Sequence, residues 1–159
     1  MSADNKAPKK SRRKSREFAL QGLYQWRLTG YPAETIRAQL KEEQVEFALI
    51  DGEFFWQLLR GSIAHAVELE ALFEPLLDRK AAELSPVEYA LLLLGTYELQ
   101  HLPDVPYRVV INEAVELAKS YGGTDGHKYV NGILDKLAAQ VRAVEVAAKQ
   151  AAPRRKGAE

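Results

Sequence analysis

The chain has 159 residues, 47% hydrophobic and 28% charged, with no cysteine and a formal net charge of zero. That composition fits one globular domain and excludes a disordered chain, a disulfide framework and thiolate chemistry. The zero hides an asymmetry: residues 1–16 carry +6, residues 149–159 carry +3 and the body between them −9, so the ends attract polyanions that the body repels. No apolar run approaches the roughly 20 residues of a membrane helix, and no h-region follows the basic start, so no membrane segment and no secretory signal is expected.

Strand signals are nearly absent, and the spacing predicts helices in series. The first covers about 11–28, with Ala19, Leu20, Leu23, Tyr24 and Arg27 tracing one face, and Gly30 and Pro32 stopping it. A second covers about 33–43. A long third starts beside Asp51, placed to cap it, and carries Phe54, Phe55, Leu58, Leu59, Ile63, Ala66, Leu69 and Leu72. A short turn follows near 77–82. The stretch "LSPVEYALLLLGTYEL" then opens with Ser85 as N-cap, Pro86 at the first position and Glu88 three residues after the cap. It is apolar almost all round, which places it at the buried centre.

"PDVP" at 103–106 breaks the chain. "RVVIN" at 108–112 is strand-like, but it runs into "EAVELAKSYGG" with helical spacing, and helix wins on length. Gly122 and Gly123 stop that helix, and Thr124 or Asp125 caps a last one through about Val141. The expected fold is all-α: a single compact helical domain of six to seven helices over 11–142. A weak seam near 76–85 divides it into two halves. Residues 1–10 are expected to be a disordered basic extension and 143–159 a flexible basic tail that frays.

No GxGxxG, P-loop, HExxH or GxSxG is present, so neither an enzyme nor a cofactor is expected. His65, His101 and His127 lie far apart in sequence and each reads as a surface or packing residue rather than a metal ligand. Glu113 and Glu116 have a spacing too common on exposed helices to mark a site.

Two stretches carry binding chemistry. In "KKSRRKSREFALQGLYQW" at 9–26, Lys9 to Arg16 supply a cationic track for phosphates, and arginine forks grip phosphate or stack on bases. On a helix from 11, Arg12 and Arg16 share a side, with Gln21 and Tyr24 further along. The competing reading makes Tyr24 and Trp26 core aromatics under a solvated tail. In "GGTDGHKYVNGILDK" at 122–136, His127, Lys128 and Tyr129 stand on the first turn of a helix, where free amides favour anions. Ordinary capping by Asp125, with Tyr129 packed inward, competes with that reading. Gly132 costs about 1 kcal/mol against alanine in a helix, which predicts a close helix contact there, with Asn131 bonded to a neighbouring backbone.

Taken together, "SRRKSREFALQGLYQW", "LSPVEYALLLLGTYEL" and "DVPYRVVINEAVELAKSYGGTDGHKYVNGILDKL" closely resemble the NusB family of bacterial transcription antitermination factors. The likeness runs from about Arg12 to Leu137, and its C-terminal motif is highly specific. It implies a cytoplasmic protein that binds boxA RNA of nascent ribosomal-operon transcripts as a heterodimer with ribosomal protein NusE. Other antitermination factors and RNA polymerase are then indirect partners, and monomer and homodimer both remain open. Carried over by position, RNA contacts fall on Arg12, Arg13, Lys14, Arg16, Gln21, Tyr24, Asp125, Lys128 and Tyr129. Lys14 replaces the usual arginine and Tyr129 the usual phenylalanine, and both keep the charge or the stacking ring. The NusE-facing surface falls on Leu76, Glu83 and Glu88, and the −9 body would attract a basic ribosomal protein. An accessory domain of an RNA-modifying enzyme and a protein-only helical scaffold are the alternative readings.

Overall fold

A computed structural model describes residues 9–121 and 125–151. Among them lie eight α-helices and no strand: α1 (Lys9–Thr29), α2 (Ala33–Glu43), α3 (Gly52–Ala64), α4 (Ala66–Phe73), α5 (Pro86–His101), α6 (Tyr107–Tyr121), α7 (Gly126–Val141) and α8 (Ala143–Ala151). No described helix is long and apolar enough to cross a membrane. Residues 1–8, 122–124 and 152–159, and with them the expected cap Thr124 and the stop at Gly122–Gly123, lie outside the described residues.

The helix ends follow from local chemistry. Gly30 takes φ 75° and returns its N–H to the Trp26 carbonyl at 2.7 Å, closing α1 with the left-handed residue that glycine tolerates best. Asp51 accepts a hydrogen bond from the Phe54 N–H at 3.1 Å and caps α3. At α5 the Ser85 hydroxyl accepts from the Glu88 N–H at 3.1 Å while the Glu88 carboxylate accepts from the Ser85 N–H at 3.2 Å. That reciprocal box fixes where the most apolar helix begins.

Residues 89–99 of α5 are buried without a break, and α1, α3, α4, α6 and α7 all pack on this helix. Phe18, Leu20 and Leu23 of α1 and Phe55, Leu58 and Leu59 of α3 complete the core against it. Trp26 packs on that core half-buried, whereas Tyr24 is exposed.

The count of eight departs from the expected six to seven in two places. The expected long third helix breaks at His65, whose φ −106° and ψ 18° end α3 and start α4. The elbow lets both halves pack on α5, burying Leu69 and Phe73 as well as Phe55 and Leu58. The second departure is α8, formed within the stretch expected to fray. Glu145 accepts the Tyr107 N–H at 2.9 Å, satisfying a free donor at the start of α6. It also pairs with Arg142 at 2.6 Å, and Arg142 donates to the carbonyls of Glu98, Leu99 and Leu102 at the end of α5. These bonds span about forty positions of sequence and anchor the first turn of α8 to two other helices.

Gly132 does not make the predicted helix contact: it and Asn131 are exposed, and a methyl group at Gly132 would meet nothing within 4 Å. The close approach lies at Gly61, where a methyl would overlap the ring of Tyr97. The two positions should therefore respond oppositely to the same substitution. Gly132→Ala is expected to stabilise by ~0.4–1 kcal/mol, whereas Gly61→Ala should destabilise by ~1–3 kcal/mol through overpacking. Urea midpoints of the two variants check this, and a neutral Gly61→Ala would refute the packing of Tyr97 over α3.

Candidate nucleic-acid interface

The basic start of α1 divides into one buried arginine and a set of exposed cations. Arg16 is only 5% exposed and Glu98 of α5 only 2%, and the two form a double bridge, Nε to Oε2 at 2.9 Å and Nη2 to Oε1 at 2.8 Å. Burial works against the Arg16 charge, but the bonds to Glu98 and its charge outweigh burial and raise the guanidinium pKa. The expectation that Arg16 offers its fork to phosphate does not fit this geometry, because that fork is spent on Glu98.

Arg12 and Arg13 face a groove of about 920 Å³ that they, Arg16, Phe54, Val109, Asn112 and Glu113 help to line. The Arg12 guanidinium lies 3.9 Å over the Phe54 ring and 3.5 Å from Asp51. Arg13, its side chain 61% exposed, donates to both oxygens of Glu113 at 3.0 and 2.7 Å, and those bonds raise its pKa. Lys14 lies between Glu46 at 3.0 Å and Glu17 at 3.3 Å, and the Glu46 bond leads in raising its pKa. Gln21 donates to the Tyr121 hydroxyl at 3.3 Å, which in turn donates to Glu17 at 2.6 Å. Arg13, Glu17, Gln21 and Tyr24 are spaced by four, four and three residues, a helical stripe, and all but Tyr24 have a partner on α6.

The second predicted stretch has a different layout. Asp125 precedes α7, but with φ −110° and ψ 6° its side chain makes no capping bond. A capping residue usually takes extended backbone, which Asp125 lacks, and its carboxylate instead lies 3.8 Å from the exposed Lys128 ammonium. The Tyr129 hydroxyl donates to Asp78 at 3.0 Å, and the Arg79 guanidinium lies 4.7 Å from the centre of its ring. Hydrogen bonds from Arg79 and then Tyr129 hold the Asp78 carboxyl at about 2, below its usual range. Burial, followed by the Asp78 bond, raises the Tyr129 phenol. Asp78 and Arg79 were not among the residues picked from sequence, where the only signal was a charged "DRK" in the seam.

Leu76 and Glu88 lie next to this second patch. Leu76 ends a 3-10 turn (Glu74–Leu76) and packs on the core, while Glu83 is exposed. A methyl group on Gly126 would lie 4.0 Å from the Glu88 carboxylate, so the starts of α5 and α7 are side by side. The structure thus brings Glu88 together with Asp78, Arg79 and Tyr129, residues assigned from sequence to separate surfaces or to none. It leaves Arg12 and Arg13 at the other groove, with Lys14 held to one side by Glu17 and Glu46.

Removing one partner of a buried ion pair leaves a bare charge and costs about 3–5 kcal/mol, whereas replacing both with apolar residues is often near neutral. Arg16→Met is therefore expected to destabilise by about that amount, and Arg16→Met with Glu98→Leu to recover much of it. Thermal and urea denaturation of the set decides the point, since equal losses in single and double variants would show that the pair is not the source.

Comparison with known proteins agrees over most of the chain. The model of the NusB family matches residues 13–139. The transcription antitermination protein NusB of Nitrosomonas eutropha is 60% identical over 143 residues, spanning 89% of this chain and 84% of that protein. That of Cupriavidus pinatubonensis is 59% identical over 143 residues, spanning 90% and 85%. Among solved structures, T. maritima NusB superposes with TM-score 0.75 at 30% identity, covering 89% of this chain and 99% of that one. A structure of the antitermination factors NusB and NusE in complex with dsRNA superposes with TM-score 0.71 at 27% identity, covering 82% and 97%.

Proposed function

The chain belongs to the NusB family, and from that premise we propose that it acts as a non-enzymatic transcription antitermination factor in the cytoplasm. In this reading it binds boxA RNA of nascent ribosomal-operon transcripts together with ribosomal protein NusE and helps assemble a processive RNA polymerase complex. The relatives named as transcription antitermination proteins and the fold shared with a NusB–NusE–RNA complex support it. The observation that carries it on this chain is the outward pair Arg12 and Arg13 lining one groove, with Lys14 held beside them by Glu17 and Glu46.

Each of those cations is oriented by a body carboxylate, in exposed pairs that contribute little stability and are screened by salt. RNA phosphates compete with those carboxylates, so the acidic body weakens indiscriminate polyanion binding. Gln21, Tyr24, Lys128 and Tyr129 extend the RNA surface, and Arg16 positions the run from below. Leu76, Glu83 and Glu88 face NusE, beside the Tyr129 end of that surface.

Three to five neutralised phosphates give a slope of roughly −2 to −3.5 in log K against log salt for a single strand. Deleting residues 1–13 should flatten that slope while leaving the helical circular dichroism nearly intact. An unchanged slope would identify the run as a solvated tail and overturn the RNA assignment of Arg12 and Arg13.

Asp125 is the one acid in the proposed RNA surface. Since its side chain does not cap α7, Asp125→Asn changes charge without removing a structural bond. It is expected to bind boxA RNA at least as tightly as the parent, and to discriminate less well against a scrambled RNA. Competition binding with both RNAs measures this, and a severe loss of boxA affinity would mean that the carboxylate makes an essential direct contact.

A further inference from the structure

Two histidines that the sequence keeps 36 positions apart meet where α3 gives way to α4. His65 closes α3 and opens α4, Glu68 lies one turn further on, and His101 is the last residue of α5. Packing of α4 on α5 brings them together, contrary to the sequence expectation of isolated histidines. His65 Nδ1 lies 3.1 Å from one Glu68 oxygen and His101 Nε2 lies 3.4 Å from the other. One donor atom from each of the three residues falls within 4.8 Å of the others.

We propose that His65, Glu68 and His101 form a binding site for one divalent transition ion of the Zn²⁺ type. The donor set is right for it: imidazole and carboxylate suit zinc and its neighbours, whereas magnesium and calcium select oxygen alone. The spacing is also right. Bonds of 2.0–2.1 Å to a tetrahedral ion place the donors about 3.4 Å apart; the nitrogen–oxygen separations of 3.1 and 3.4 Å approach this, each to a different Glu68 oxygen, and the carboxylate turns to offer one of them to the ion. Side-chain rotation supplies the remaining closure between the two nitrogens, and the side chains of His65 and Glu68, 44% and 46% exposed, leave a way in for the ion and a water.

Two features favour a cation here. First, α5 ends at the cluster, and a helix C-terminus carries partial negative charge, whereas the end of α3 is offset by the start of α4 at the same residue. Arg142 uses carbonyls at the end of α5, but its own charge is matched by Glu145. Second, His101 Nε2 is shielded from solvent and forms no hydrogen bond among the described residues, the Glu68 oxygen at 3.4 Å lying outside hydrogen-bond geometry. A buried polar nitrogen without a partner carries a desolvation cost that a metal bond removes. His101 stacks on Tyr97 at 5.1 Å and on His65 at 4.4 Å; because a metal bond lies in the plane of each imidazole, His65 leaves this stack by side-chain rotation when it ligates.

The test uses the untagged full-length chain and two probes, Zn²⁺ by calorimetry and Co²⁺ by its visible absorption. One ion per chain is expected, with a Co²⁺ spectrum of low-coordinate, nitrogen-ligated type. His65→Ala, His101→Ala and Glu68→Gln should each weaken binding by at least the roughly 10–100-fold that loss of an outer-shell partner costs. Glu68→Gln keeps the shape of the side chain, so it reports on ligation even where an alanine variant unfolds, and circular dichroism identifies such a variant. His127→Ala, far from the cluster, should bind as the parent does. The proposal fails if the parent chain binds neither ion, if His65→Ala and Glu68→Gln both bind with parental affinity, or if His127→Ala abolishes the signal.

Discussion

The double bridge between Arg16 and Glu98 is the constraint from which the placement of the basic run follows. Two charges removed from water cost several kcal/mol each, and their attraction offsets this only when both partners are present in good geometry. Here two guanidinium nitrogens meet two carboxylate oxygens at 2.9 and 2.8 Å. A slide of α1 by one residue along α5 would break both bonds and leave both charges buried. One rotation and one height of α1 satisfy the bridge, so every other side chain of the run inherits its direction from Arg16.

Burial then separates two roles within a few residues of similar chemistry. Arg16 has its partner in the core, and loss of either member is felt as stability. Arg12, Arg13 and Lys14 have partners at the surface, Asp51, Glu113, Glu46 and Glu17, where an ion pair contributes at most about 1 kcal/mol. Such pairs orient a side chain without committing it, and a phosphate can take the place of the carboxylate while the fold stays intact. In the proposed reading the negative body is part of the binding surface: it aims the cations and sets the competition that an RNA must win.

What was legible in the sequence was whatever is decided within three or four residues. The box of Ser85 and Glu88, the cap at Asp51 and the stop at Gly30 each complete their bonds inside one turn, and all three were read correctly. The apolar run of α5 was equally plain, because a helix without a polar face has to be central. Features closed over long separations were not legible. Glu98 is 82 positions from Arg16, and nothing near either residue announces the other. Likewise α8 depends on Glu145 finding the Tyr107 amide 38 positions away, so its alanine-rich sequence read as a fraying tail. The break at His65 carries no proline or glycine, and it exists because two short helices cover α5 where one straight helix would not. Gly132 was correctly seen as costly and wrongly given a packing reason, while Gly61, which has one, raised no signal. At the candidate site Arg12 and Arg13 are exposed, as a basic run at a chain end suggests, but the Asp78–Arg79 support of Tyr129 comes from a seam that carries no helical pattern.

α5 also explains why the proposed activities need not interfere. Its sixteen residues span about 24 Å at 1.5 Å per residue, and they are packed on five neighbours, so the helix moves as a rigid body or not at all. Its N-terminal end carries Glu88, beside the start of α7 and the ring of Tyr129. Its C-terminal end carries Glu98, which holds Arg16, and His101, which faces both the histidine cluster and the groove shared with Arg12 and Arg13. An ion bound by His65, Glu68 and His101 would act first on the α3–α4 elbow and that groove. The partner-facing end, three to four helical turns away, would feel it only through α5 as a whole. His101 therefore places the proposed ion next to the groove of Arg12 and Arg13, and the length of α5 separates it from Glu88.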